Sequence, residues 1–326
     1  MMDEAATVLK RTRIMIAYDA VQHARRGRQI AMFRLALGSF SPNPPPNRAN
    51  VCEINSVAEF DAGCARLAPL LGRRAKSPSH AELKFLESIP TRRKTWYTGS
   101  IGPQDYLFLT AVIGILAPIR VVEIGTLTGF STGFIAAALA HTHASSSESC
   151  VDTIDRSGRC VIDQSRPTGF EIQEVFSEFA SMIRLHAPKD ARFVSQIAEA
   201  NELELAFIDA DHRHPFPLLD VLQLVPCMRP ASWVVLHDIR LGTMTRDAID
   251  ADCEQMFEPA DGAEWLFEHW PFRKISGGNI GAVQLPTEKG ALVQFALRMI
   301  RIPFQITGKL ECATRTALYE SLAALC

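Results

Sequence analysis

No stretch of this 326-residue chain is apolar for long enough to cross a bilayer; the best candidate, residues 107–119, is too short and carries Gly114 and Pro118. Membrane spanning is therefore not expected. Cysteine pairing is missing too. The eight cysteines stand singly at positions 52, 64, 150, 160, 227, 253, 312 and 326, with no Cys-x-x-Cys. That excludes a zinc ribbon or a disulfide frame and leaves reduced thiols in a cytoplasmic protein as the expectation. Excess charge is absent: 34 Lys and Arg face 36 Asp and Glu, a net charge of −2 that gives a nucleic acid nothing to hold. There is no internal repeat and no Gly-x-Gly-x-x-Gly, so a dinucleotide fingerprint is not expected. What remains is an ordinary globular composition, 47% hydrophobic and 21% charged, with length enough for a sizeable core.

The first fifty residues are locally basic, with eight Arg and Lys against Asp3, Glu4 and Asp19. Those two early acids argue against a transit peptide, and a solvated amphipathic helix over 4–38 is expected instead. Ser39-Phe-Ser-Pro-Asn-Pro-Pro-Pro-Asn47 then stops any helix and reads as a polyproline linker. Short helices are expected at 57–71 and 79–88. We place a helical N-terminal extension over 1–97, forming a cap over a ligand pocket or an arm for a homodimer.

From Gly102 onward the pattern alternates between strands and helices. Helices are predicted at 105–116, 131–141, 170–186, 216–228 and 244–257, and strands at 120–124, 150–154, 192–195, 203–208, 233–236, 264–269 and 279–285. A Ser-rich turn falls at 144–149. The tail from Gly290 reads as helical and carries no evident chemistry. Alternation of this kind predicts an open α/β sheet with ligands at the carboxyl ends of its strands.

Four strand ends carry polar residues. The first is Val121-Val-Glu-Ile-Gly-Thr-Leu-Thr-Gly-Phe-Ser-Thr132, where a β-branched run passes Glu123, turns at Gly125 and Gly129, and enters a helix. Glycines in such a turn let backbone N–H groups approach a ligand, and a preceding carboxylate suits a cationic one. The second is Val151-Asp-Thr-Ile-Asp155, whose last acid can accept ribose hydroxyls; Asp152 would lie within the strand. The third is Phe207-Ile-Asp209-Ala-Asp211-His212-Arg-His214, where Asp209 and Asp211 share a face in continuing strand geometry. His214, beside Pro215, reads as a surface residue. The fourth is Val234-Val-Leu-His237-Asp238. The remaining histidines lie away from these ends.

Together these ends resemble the small-molecule branch of the class I S-adenosylmethionine (SAM)-dependent methyltransferases, which write them as E-I-G-x-x-x-G-x-S, F-I-D-G-D-H and V-x-H-D. The resemblance spans roughly residues 97–286. It includes Gly99-Ser-Ile-Gly-Pro-Gln-Asp105, similar to the segment closing over the cofactor, and Gly278-Asn-Ile-Gly-Ala-Val-Gln-Leu285, similar to the terminal strand. It implies a Rossmann-like, doubly wound, mostly parallel seven-stranded sheet, with a methyltransferase domain at 98–286 and a helical tail at 287–326. It also implies SAM as cofactor, with Glu123, Gly125, Thr126, Gly129 and Ser131 toward the methionine part, Asp155 on the ribose and Asp209 beside the reaction centre. Three departures stand out: Ser195-Gln-Ile-Ala198 where an adenine contact is expected, Pro230-Ala-Ser232 in place of Pro-Gly-Gly, and Ile239 where catechol-type enzymes place a metal-binding asparagine.

The implied reaction is O-methylation of a small-molecule acceptor. Its proton would pass to His212, the first choice of base, or to His237, with an aspartate such as Asp211 orienting the ring. Alternatively Asp209 and Asp238, with His237 or Asp211, would hold Mg2+ to acidify the acceptor. An N-methyltransferase and an inactive methyltransferase-like scaffold stay open. Glycine spacing disfavours a nicotinamide oxidoreductase.

Overall fold

The computed structural model describes residues 48–143, 149–250 and 260–325. The expected helix over 4–38, the polyproline linker, most of the Ser-rich turn and the end of the helix expected at 244–257 lie outside them.

A short strand β1 (Asn50–Val51) precedes helices α1 (Phe60–Leu70), α2 (His80–Arg92) and α3 (Pro103–Leu116). Strand β2 (Arg120–Ile124), helix α4 (Phe130–Thr142) and strand β3 (Cys150–Ile154) follow. A small hairpin, β4 (Arg159–Cys160) and β5 (Asp163–Pro167), leads to α5 (Phe170–Val175) and β6 (Ile183–His186). The chain continues through α6 (Val194–Ile197), β7 (Leu203–Ile208), α7 (Phe216–Leu224), β8 (Met228–His237) and α8 (Leu241–Asp250). Helix α9 (Gly262–His269), strands β9 (Lys274–Ser276) and β10 (Ile280–Gln284), and tail helices α10 (Lys289–Met299) and α11 (Gly308–Ala323) complete it.

The main sheet has eight strands in the order β1-β9-β10-β8-β7-β2-β3-β6. Strands β8, β7, β2, β3 and β6 are parallel, whereas β10 runs antiparallel to both of its neighbours. This is the expected doubly wound, Rossmann-like sheet, enlarged by one two-residue strand from the N-terminal extension that pairs with β9. Alternating residues feed two cores. Val121, Val151, Phe207 and Val235 face α1–α4, while Val122, Ile154, Ile208 and Leu236 face α7, α9 and the tail helices. With both faces covered, the strands read as continuous apolar runs rather than alternating ones.

Three element expectations fail. Residues 170–186 divide into α5, a 3-10 turn (Ser177–Met182) and strand β6. Strand β6 is an edge strand of four residues with neither face fully buried, so its alternation is too short to stand out. Residues 192–195 are helical, not extended. Residues 264–269 belong to α9, which buries Trp265, Leu266 and Phe267; β10's partner is β9 instead. A three-residue apolar run flanked by acids fits a buried helix as well as a strand.

Candidate active site

Strand order reverses around β2, which lies between β3 and β7, and ligands of open α/β sheets bind at such a point. Here the turn after β2 is fixed by contact with the end of β7. Gly125 has φ +100°, and a Cβ on it would sit 2.1 Å from the Asp209 carbonyl oxygen. Only glycine fits both demands. The Asp209 N–H donates to the Ile124 carbonyl at 2.8 Å, tying the two strand ends together.

Glu123 lies beneath this turn and is fully buried. Its carboxylate accepts from the hydroxyls of Ser131 at 2.5 Å, Thr153 at 2.6 Å, and Thr132. Burial drives its pKa up to about 7 in spite of those donors. Thr126 is equally hidden, its hydroxyl 2.6 Å from that of Thr153, and Gly129 (φ +88°) begins α4. Asp155 accepts from the Thr126 and Leu127 amides at 3.0 Å each and from the Ser157 amide at 2.8 Å. Of the seven residues expected at a cofactor, Gly125, Asp155 and Asp209 line a cavity of about 440 Å³. The other four build the turn behind it.

The same cavity is lined by Thr98, Gly99, Arg156, Val161, Ile162, Lys189, Asp190, Ala191, Asp211, His212 and Asp220. Its volume suits a drug-sized ligand. The segment entering it after the edge strand is Lys189-Asp190-Ala191, because that strand ends at His186. Ser195, the expected contact point, is exposed elsewhere. Asp152 instead pairs with Arg120, Arg184 and His186. A wider groove, about 750 Å³, runs between the tail helices but has no strand end in its lining.

Beside this cavity the strand-tip residues converge. His212 Nε2 lies 3.1 Å from Asp238 Oδ2 and 3.5 Å from Asp209 Oδ1. His237 is 4% exposed; Nδ1 donates to Asp209 at 3.1 Å and Nε2 to Asp105 at 3.3 Å. Burial favours its neutral ring, but the Asp209 and Asp238 charges and the two hydrogen bonds hold its pKa well above the ordinary histidine value. Both ring nitrogens of His237 thus face carboxylates, an arrangement that favours its protonated form. Burial likewise raises the Asp238 carboxyl, yet the two histidines and Asn279 hold it below its usual range. Asp238 sits at φ +57°, a strained position for a non-glycine residue.

Asp209, His212 and Asp238 each offer a ligand atom within 4.8 Å of the others, and they are the one such group among the described residues. This group shares Asp209 and Asp238 with the expected cation set and has His212 where His237 or Asp211 was expected. Asp211 pairs with Arg213 at 2.6 Å. His214 is not a surface residue: it is 1% exposed, packed between Trp265 and Phe304, and burial pushes its pKa down to about 3.

Residues 122–239, the span from β2 to just past β8, match a family described as a methyltransferase domain. Over that span the chain is similar to this family. No curated protein matches the chain in sequence. Among solved structures, it is similar to cofactor-bound Rv0187 from MTB, at 18% identity and TM-score 0.43, covering 72% of this chain and 99% of that one. It is also similar to the O-methyltransferase TomG from Streptomyces achromogenes (14% identity, TM-score 0.42, 71% and 100% covered). A third is an O-methyltransferase from Bacillus cereus (17% identity, TM-score 0.41, 70% and 100% covered).

Three residues around the cavity were not legible as site residues. Asp105 accepts from the Gly102 amide at 2.9 Å through the same oxygen that meets His237. Asn279 donates to Asp238 at 2.6 Å and accepts from the Arg240 amide, so an asparagine does reach the fourth acid, from the β9–β10 turn. Asp220, on α7, reaches the cavity from below. The first two come from outside residues 122–239, and the third lies within an apolar helical run; no local motif marks any of them.

Proposed function

We propose that this protein transfers a methyl group from SAM to a hydroxyl of a small-molecule acceptor. The observation that carries this is the meeting of Gly125, Asp155, Asp209 and His212, from three strand ends, on one cavity. Crystal structures of the TomG and Bacillus cereus O-methyltransferases hold SAM and SAH respectively, which supports the same cofactor here.

The residues fit that cofactor. Asp155, at the tip of β3, would take the ribose hydroxyls, since a carboxylate has acceptor capacity beyond its three amide partners. The backbone around Gly125 and the lid segment at Thr98 and Gly99 would enclose the amino-acid end. Bound there, SAM supplies an electrophilic methyl on a positively charged sulfur. The protein's task is to align the acceptor and remove its proton. His212 does the second: with Nε2–H donated to Asp238, the Nδ1 lone pair takes the hydroxyl proton, and the Asp209 and Asp238 charges stabilise the resulting imidazolium. His237 and Asp105 hold Asp209 in place.

A second arrangement has an observation of its own. Asp209, His212 and Asp238 would hold a divalent cation, whose charge would lower the acceptor's pKa; carboxylate oxygens suit Mg2+, and the imidazole suits Mn2+ or Zn2+ better.

The test is calorimetric titration with SAM followed by transfer of a tritiated methyl to phenol and sugar hydroxyls, with and without EDTA. Binding and metal-independent transfer are expected. His212→Ala should spare SAM binding and slow transfer by about 100-fold or more. Asp155→Ala should weaken SAM binding. Loss of transfer in EDTA, restored by Mg2+ or Mn2+, would make Asp209, His212 and Asp238 a ligand set. SAM binding without transfer to any acceptor would favour a scaffold, and labelled amines an N-methyltransferase.

A further inference from the structure

Part of the cavity's lining is not used by the transfer reaction. Two independent anomalies meet there. Below, Asp220 on α7 is 2% exposed and lines the cavity, yet its Oδ1 is buried with no hydrogen-bond partner among the described residues. Buried polar atoms are nearly always partnered, so a carboxyl in a cavity wall with one orphan oxygen points to a ligand. The neighbouring acids are already taken: Asp190 by Arg192 at 2.6 Å and Asp211 by Arg213 at 2.6 Å.

Above, the two-residue turn of the β4–β5 hairpin is Val161-Ile162. Such turns draw Gly, Asn or Asp, because tight turns favour small polar residues and water surrounds them. Here two β-branched apolar side chains stand 61% and 42% exposed, and both line the same cavity. An apolar roof over a partnerless polar floor suits a flat heteroaromatic ring with a hydrogen-bonding edge.

We infer that Asp220 reads the 6-amino edge of the cofactor's purine while Val161 and Ile162 cover its face. This rests on the SAM reading above. Burial raises the Asp220 pKa to about 7, with Arg156 opposing and Asp211 and Asp190 adding to the rise. Its neutral form carries one donor and one acceptor side by side, the complement of an adenine's N1 and 6-amino group. Its ionised form still accepts from the amine.

The test is competition binding of S-adenosylhomocysteine against its 6-deamino analogue, using the full chain. Wild type should prefer the adenine compound by about tenfold or more, as a site that hydrogen-bonds a group rejects the analogue without it. Asp220→Asn, which also donates and accepts, should keep that preference. Asp220→Leu should bind both compounds equally, and Val161→Ser/Ile162→Ser should weaken both alike. No preference in wild type, or a preference surviving in Asp220→Leu, overturns the inference. Should Asp220→Leu fail to melt cooperatively, the wild-type preference and the hairpin variant still decide it. If wild type binds neither compound, the cofactor reading fails first.

Discussion

Gly125 shows how far one position can be pushed. Its φ of +100° and the 2.1 Å approach to the Asp209 carbonyl leave no room for a methyl group. Gly125→Ala should part the ends of β2 and β7, lowering the melting temperature and abolishing SAM binding; a variant that binds normally would show that this junction does not shape the site. His214 makes a different point. Its sequence neighbours, a charged residue and a proline, suggest a surface loop, and nothing local reveals the Trp265 and Phe304 rings that enclose it. Because its folded pKa is depressed to about 3, the unfolded chain binds one more proton between that value and about 6.5. Stability from this residue is therefore full above about pH 6.5 and falls as pH drops, by a few kcal/mol in all. Urea unfolding of wild type and His214→Phe from pH 7 to 4 should show a shallower loss in the variant. Parallel curves would count against a buried neutral ring.

At the scale of elements, the strands that carry the site were readable because each is a β-branched run ending in a polar residue. β2, β3 and β7 have the predicted bounds, and β8 contains the predicted strand. Edge elements were not readable, since half-buried strands such as β6 leave little periodicity. Long-range pairs were invisible as well. Arg93, just past α2, makes a two-pronged pair with Glu171 on α5 at 2.7–2.8 Å, with side chains 1% and 2% exposed. Its guanidinium also lies 3.6 Å from the Phe130 ring centroid at the start of α4. Three elements around the glycine turn thus share one cation. Arg93→Met alone strands a buried carboxylate and should cost about 3–5 kcal/mol in urea unfolding, while Arg93→Met with Glu171→Met should recover most of it. Equal losses in the single and double variants would mean that the ion pair itself, not the stranded charge, dominates.

Across the whole molecule, the tail reads in sequence as an addition without chemistry, and its packing suggests otherwise. Leu292, Phe295, Met299, Phe304, Leu318 and Leu322 are all buried in the same core as Leu222 and Leu236. At about 1.5–3 kcal/mol for each such side chain, their removal costs about 9–18 kcal/mol, as much as the roughly 5–15 kcal/mol by which domains are stable. A chain ending at residue 286 should therefore fail to fold, seen as insolubility or loss of a cooperative melt. The tail also touches the loop that carries His212 and His214, through Gln305. Its side-chain oxygen accepts from the His214 amide at 2.7 Å and the Asp261 amide at 3.1 Å, and its own amide donates to the His214 carbonyl at 2.9 Å. Next to it, the Gly262 amide donates to the His212 carbonyl at 2.7 Å, an approach so close that a Cβ on Gly262 would lie 2.5 Å from the His214 nitrogen. The backbone of the His212 loop is thus held from behind by α9 and the tail. Gln305→Ala keeps the apolar burial and removes the clamp. It should melt cooperatively yet transfer methyl about tenfold more slowly, because small displacements of a positioned base are costly. A truncated chain that folds, or a Gln305→Ala protein with unchanged turnover, would return the tail to the status of an appendage.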